Sequence, residues 1–403
     1  MPHRKVRGGV TAAKGFLAAG IHSGIKPAPF LDLALLVSER PGPIAGSLTK
    51  NRVKAAPIIL TRQQLKTQKG QAVIINSGNA NAFTGSQGLA DAKAMAQAVS
   101  STLQIPTPLV YVGSTGIIGH PLPITRIQRA VPPLTTRLRK SGHLKAAQAI
   151  MTTDTYPKEI ALQSRIGRRL VTIGGMAKGS GMIHPNMATM LAYLTTDAAI
   201  TPQALNLALQ ASVQESFNCI TVDGDTSTND AVLCLANGMA SNPVIRPHTT
   251  HWNAFQDLLA DVCIALALQI CRDGEGCTKL VEILVRGTKT TQAAKKIAET
   301  IATSLLVKTA LFGEDPNWGR IMAAAGRAGV SFKSEHVDLA FDDVYVVKAG
   351  QRIGDHSDHQ AKRIMRQKTF SITVSLGTHQ GSHRLWTTDL SYEYVKINAS
   401  YTT

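Results

Sequence analysis

The chain has 403 residues, 44% of them hydrophobic and 17% charged, which excludes a disordered polymer and leaves room for one large or two medium domains. Lys and Arg outnumber Asp and Glu by 43 to 26, giving a net charge of +17, yet aromatics make up only 5% of the chain. The basic residues are dispersed in short groups such as Arg165, Arg168 and Arg169, so a solvated basic surface is expected and not a nucleic-acid platform.

Residues 1–9 are basic, but residues 11–20 are broken by Lys14 and by glycines and form no signal segment. Short runs rich in β-branched residues predict strands over 31–37, 71–75, 109–112, 170–173, 219–222 and 280–285. Between them, helical spacing predicts helices over 88–103, 202–216, 252–272 and 291–306. Thr201 before Pro202 is a strong start signal. Residues 337–401 return to strands, with 370–374 the clearest alternation. This interleaving predicts an α/β fold. The most apolar stretch, 262–270, is too short to cross a bilayer, so no membrane association is expected. Cys219, Cys234, Cys263, Cys271 and Cys277 are odd in number and form no CxxC pair, which predicts free thiols in a cytoplasmic protein.

Three segments concentrate glycine and small polar residues: Asn76-Ser-Gly-Asn-Ala-Asn81, Gly113-Ser-Thr-Gly-Ile-Ile-Gly119 and Gly174-Gly-Met-Ala-Lys-Gly-Ser-Gly181. Each follows a predicted strand, where a ligand-facing loop is expected. Lys178-Gly179-Ser180 has the residues of a phosphate loop in the wrong order, and Gly113, Gly116 and Gly119 lack the dinucleotide spacing. The alternating carboxylates of 223–230 lack the turn glycine and closing glutamate of a calcium loop, and no paired Cys/His spacing suggests zinc. No metal or cofactor is therefore expected.

Residues 178–197 hold the most chemistry. By spacing alone, Thr189 reads as a hydroxyl that satisfies backbone groups inside an apolar run. The sharper reading is a nucleophile. A threonine that begins a chain has its own α-amine as base, with a reference pKa of about 7.7–8.0. An internal threonine reaches that state if its hydroxyl attacks the preceding carbonyl and the resulting ester is hydrolysed.

The segment Lys178-Gly-Ser-Gly-Met-Ile-His-Pro-Asn-Met-Ala-Thr-Met-Leu191 resembles the self-processing segment of the ornithine acetyltransferases, the glutamate N-acetyltransferases of arginine biosynthesis. Ordered similarity extends through Asn76–Ala82, Ser114–Gly119, Met151-Thr-Thr-Asp-Thr155, Asp223-Gly-Asp-Thr-Ser-Thr-Asn-Asp230, Gly274-Glu-Gly-Cys-Thr-Lys279, Gly313–Arg320 and Tyr394–Ala399. Ala13 and Phe83 depart from the family's usual residues and carry no chemistry. The resemblance implies layered α/β sheets with flanking helices, of the self-cleaving aminopeptidase and ornithine acetyltransferase type, with an α/β C-terminal part. It implies cleavage between Ala188 and Thr189, an α chain of residues 1–188, a β chain of 189–403 and an α2β2 heterotetramer. Thr189 would carry acetyl from N2-acetylornithine to glutamate, with Thr115 and Gly116 as the oxyanion hole. Substrate contacts carry over to Thr152, Lys178, Thr189, Glu275, Asn398 and Thr403, although Lys178 and Glu275 by themselves would read as surface charges. Acetyl-CoA is expected as a further donor from family frequency alone, since no motif marks a pantetheine tunnel. The alternative within the fold is a self-cleaving aminopeptidase or amidase that sends the acyl group to water.

Overall fold

Two sheets organise the computed structural model, which describes residues 3–184 and 190–400. They belong to two compact units, one of residues 1–218 and 225–270, the other of 219–224 and 271–402.

In the first unit the strands are β1 (Arg4–Lys5), β2 (Phe16–Ile21), β3 (Leu33–Leu48), β4 (Lys69–Asn79), β5 (Val110–Ile117), β6 (Lys158–Ile166), β7 (Arg169–Lys178), β8 (Leu191–Thr196) and β9 (Ala231–Ala236). They pair in the order β1-β6-β7-β8-β9-β3-β4-β5, with β2 also on β3. β3 joins two leaves. Its first half runs antiparallel to β2 and β4, the register slips between Val37 and Gly42, and Ile44–Leu48 then pairs with β9. At the slip, a Cβ on Gly42 would collide with the carbonyl of Ala236, so the crossing requires glycine there.

Alternation along the strands sorts two cores. Ala34, Leu36, Val73, Ile75 and Tyr111 face Met176, Tyr193, Leu233 and Leu235 between the leaves. Leu33, Leu35, Ile74, Val110 and Val112 point the other way, against Met95, Val99, Ile127 and Val131 of α2 (Gly85–Leu103) and α3 (Ile124–Thr135). Because these strands are covered on both faces, they read as unbroken apolar runs. The unit also holds α1 (Ala56–Gln64), α4 (His143–Ala149) and α5 (Pro202–Glu215), the last begun by Thr201, whose hydroxyl accepts from Ala204 N. The layered α/β expectation holds.

The helix α6 (Thr250–Arg272) is longer than its apolar stretch and is, by length and composition, long enough to cross a membrane. Here it packs as a core helix. Phe255, Leu258, Leu259, Val262, Leu266 and Ile270 recur along one buried face, and Val262 and Leu266 lie over Gly175 of β7.

The second unit has β10 (Leu280–Gly287), β11 (Asp338–Phe341), β12 (Val344–Lys348), β13 (Gln351–Arg352), β14 (Thr369–Ser375) and β15 (His379–Thr388), in the order β13-β12-β11-β14-β10-β15. Its core joins Val281, Ile283, Ile372 and Val374 to Ile297 and Ile301 of α7 (Thr291–Ala302) and Ile321 of α9 (Trp318–Gly326). Three expectations change here. The helix over 291–306 ends at Ala302 and restarts as α8 (Leu305–Phe312), so Leu305 and Leu306 are exposed instead of continuing the buried stripe. Residues 219–222 make one bridge, Ile220 to Trp386, and no strand. Residues 337–401 include α10 (Asp355–Met365) and α11 (Tyr392–Ser400) as well as strands.

The glycine segments also differ from expectation, since much of each lies within β4, β5 or β7 instead of in a following loop. Close approach explains this. A Cβ on Gly174 would strike the carbonyl of Gly9, and one on Gly113 would strike the Tyr193 hydroxyl. That hydroxyl is buried with no hydrogen-bond partner among the described residues, and burial pushes its pKa far up. Tyr193→Phe should therefore leave stability unchanged or raise it by about 1 kcal/mol, since it removes an unsatisfied buried group. Urea unfolding measures this, and a loss above that size would show that the hydroxyl is satisfied.

Candidate active site

β4 and β5 run parallel, with Ser77 opposite Thr115 and Gly78 opposite Gly116, and the register slips at Asn79. Gly116 has φ +132°, and a Cβ there would collide with the Gly78 carbonyl carbon, so only glycine allows the two strand ends to approach this closely. Side-chain amides hold the turn. Ser114 Oγ donates to Asn76 Oδ1 at 2.6 Å, and Asn76 Nδ2 donates to Asn79 O at 2.9 Å. Asn229 Nδ2 donates to Ser114 O at 2.8 Å and to Ala80 O at 2.6 Å. With the Ser114 carbonyl fixed, the peptide leading into Thr115 is fixed too.

Lys178 ends β7 and donates from Nζ to Thr115 Oγ1 at 3.4 Å. A hydroxyl that accepts from an ammonium keeps its own proton free to donate. The Thr115 hydroxyl can thus donate from a position next to the Gly116 backbone.

Beneath them lies a buried charge cluster. Asp154 Oδ1 accepts from Lys158 Nζ at 2.6 Å and from Gly179 N at 2.8 Å, while Oδ2 accepts from Thr152 N at 2.9 Å. Both side chains of the Asp154–Lys158 pair are fully buried. Burial by itself would raise the Asp154 pKa, but Lys178, Lys158 and the Gly179 N–H outweigh it and hold the carboxyl at about 2. Lys26 is a third cation, donating to Leu31 O and Met151 O at 2.8 Å each. Burial takes its pKa down to about 8; Asp32 and Asp154 oppose that fall, and Lys178 adds to it. Around Thr152 the site is thus rich in ammonium groups, which suits a carboxylate ligand.

The second unit brings together Glu275 and Asn398. Asn398 Nδ2 donates to Glu275 Oε2 at 2.9 Å and to Tyr394 O at 3.0 Å. The Glu275 turn is pinned against the start of α11. Gly276 has φ +64°, a Cβ on it would collide with Tyr394 N, and Ser391 Oγ donates to Gly276 O. Asp389 accepts from Thr278 N at 2.8 Å and from Lys279 N at 3.0 Å, which fixes the exit of the turn.

Of the expected site residues, Thr115, Gly116, Lys178 and Thr152 therefore converge, as do Glu275 and Asn398. Ala188, Thr189 and Thr403 lie outside the described residues. Asp154, Lys158 and Lys26 were not singled out by the sequence. A carboxylate and a lysine four apart resemble any solvated pair, and only burial reveals their role. All five cysteines are free, and among the described residues no group of three His, Cys, Asp or Glu could hold a metal.

Comparison with known proteins places this arrangement. A family model described as the ArgJ family matches residues 17–403. The arginine biosynthesis bifunctional protein ArgJ of Symbiobacterium thermophilum is 50% identical over 398 residues, covering 98% of this chain and 99% of its own. That of Thermosynechococcus vestitus is 46% identical over 415 residues, covering 99% of each. Among solved structures, the arginine biosynthesis bifunctional protein argJ of Bacillus halodurans is 42% identical, covers 52% of this chain and 98% of its own, and has a TM-score of 0.50. Ornithine acetyltransferase of Mycobacterium tuberculosis, complexed with ornithine, is 44% identical, covers 46% and 98%, and has a TM-score of 0.43. The protein is an enzyme of arginine biosynthesis. The chain belongs to the ArgJ family.

The cluster yields a stability prediction. Because the Asp154 pKa lies below its ordinary 3.8, its contribution is present above about pH 4 and is lost as the pH falls through 2. That shift corresponds to roughly 2 kcal/mol. Asp154→Asn, which removes the carboxylate paired with the buried Lys158, should cost about 3–5 kcal/mol at pH 7. It should also flatten the acid limb of a stability–pH curve. An unchanged limb would remove Asp154 from its cause.

Proposed function

We propose that the protein moves an acetyl group from N2-acetylornithine to glutamate, giving ornithine and N-acetylglutamate, through an acetyl ester on Thr189. The observation that carries this reading is the Lys178–Thr115 contact, which sets an oxyanion donor beside a cation able to hold a substrate carboxylate. Before the first turnover the chain cuts itself between Ala188 and Thr189, which frees the α-amine that serves as base. Nearly all of the solved Bacillus halodurans chain aligns, yet it covers only 52% of this one, which supports a protein that works as two fragments.

Each half-reaction is the same chemistry in opposite directions. Thr189 Oγ adds to the acetyl carbonyl of acetylornithine while the α-amine takes its proton, and the oxyanion meets Thr115 O–H and Gly116 N–H. Collapse protonates the departing ornithine nitrogen and leaves acetyl-Thr189. Glutamate then attacks that ester. Proton transfer alone drives these steps, so no metal or cofactor is invoked, and acetyl-CoA enters as a second acetyl donor. The working form is an α2β2 heterotetramer in the cytoplasm, acting on small molecules and not on nucleic acid or membrane.

Intact mass of the purified protein should show chains of 188 and 215 residues, and Thr189→Ala should remain one inactive 403-residue chain. A single uncut chain with full activity would end the reading. Release of free acetate in place of N-acetylglutamate would instead mark a hydrolase.

Glu275 is read as the partner of the ammonium at the far end of acetylornithine, a group that glutamate lacks. A charge-assisted hydrogen bond of this kind is worth about 1.5–3 kcal/mol. Glu275→Gln should therefore slow acetylation of the enzyme by acetylornithine roughly ten- to a hundredfold, while leaving deacetylation by glutamate close to its original rate. Separate half-reaction rates measure this. Equal losses in both would make Glu275 a support of the fold around Asn398 instead of a selector.

A further inference from the structure

Acetyl transfer and self-cleavage need different bases. In the uncut chain the nitrogen of Thr189 is an amide and cannot act as one, so the cut must draw on another group. Strands β8 and β9 run parallel with Leu191 opposite Ala231, which sets the residues before each strand side by side. Met190 N donates to Asp230 Oδ1 at 2.9 Å, and Ala231 N donates to Met190 O at 3.2 Å. Thr49 N donates to the Asp230 carbonyl at 3.0 Å and holds the backbone from the other side. Asp230 is 1% exposed, and its Oδ2 has no hydrogen-bond partner among the described residues. A buried carboxyl with one oxygen bonded to the residue after the junction and the other unpartnered is not accounted for by acetyl transfer.

We propose that Asp230 carries the proton during self-cleavage, an inference that rests on the cut before Thr189. As the Thr189 Oγ–C bond forms to the carbonyl carbon of Ala188, Asp230 takes the hydroxyl proton. As the C–N bond of that peptide breaks, the Thr189 nitrogen receives a proton from Asp230. The result is an ester between Ala188 and Thr189 Oγ together with a free α-amine. One water then hydrolyses the ester, restoring the Thr189 hydroxyl and leaving a carboxyl on Ala188. Burial pushes the Asp230 carboxyl well above the ordinary range, against the Met190 N–H and the charge of Lys178, so it is a stronger base toward the hydroxyl proton than a solvated carboxylate.

Asp230→Asn separates proton transfer from shape, because an amide of the same size still accepts from Met190 N. Wild type, D230N, D230E and T189A would be made by cell-free synthesis and followed by intact mass over time, with gel filtration and thermal melts against T189A as the folded, uncut reference. The expected result is that D230N stays uncut at least tenfold longer than wild type, while D230E, which restores an acid, cuts faster than D230N. D230N cutting at the wild-type rate would overturn the inference, as would D230N and D230E slowed alike, since that is the mark of a merely structural residue. A wild-type chain that never cuts overturns the self-cleavage reading itself, a different failure.

Discussion

A single buried carboxylate organises the first unit. Asp154 receives a hydrogen bond from Thr152 N two residues back, from Lys158 at the start of β6 and from Gly179 N just past β7, so one side chain gathers three stretches of backbone. An isolated charge at that depth would be costly, and it persists because both carboxylate oxygens are met by donors and the positive charges around it exceed it in number. The same bonds set the height of Lys178 relative to Thr115. Folding energy and site geometry therefore rest on the same atoms.

The second constraint is steric. Close approaches of the chain in this unit fall at glycines: Gly42 against Ala236, Gly113 against Tyr193, Gly174 against Gly9 and Gly116 against Gly78. Three serve close packing, and the fourth shapes the turn beside Thr115. The last also has a backbone conformation that a side chain rarely adopts, so its contribution is twofold.

Legibility in the sequence followed burial. Strands β3 and β4 were readable because their covered stretches, residues 33–37 and 72–75, are apolar throughout, β10 because it is rich in branched aliphatics, and α5 because Thr201-Pro202 is a start signal independent of context. The unreadable elements have their cause in tertiary structure. Residues 219–222 are β-branched and apolar but find only one strand partner, and α11 alternates like a strand while its backbone turns as a helix. For the site, Thr115, Lys178 and Glu275 were reached through family resemblance. Asp154 and Asp230 sat inside quoted motifs without a role, since a carboxylate's spacing says nothing about whether it is desolvated.

If the chain is cut before Thr189 as proposed, the pairing of β7 with β8 has a further consequence. The ladder from Ile173 opposite Thr196 to Lys178 opposite Leu191 lies in the middle of the sheet, with β9 and then β3 beyond it. A break between these strands severs the chain without severing the sheet. The proposed fragments would hold each other as paired strands of one sheet, and unfolding would become dissociation. Refolding of the cut protein would be a second-order encounter whose yield depends on concentration, whereas the uncut chain folds within a single chain. Such a cut would turn a molecule that can find its structure again unaided into one that keeps it chiefly by never losing it.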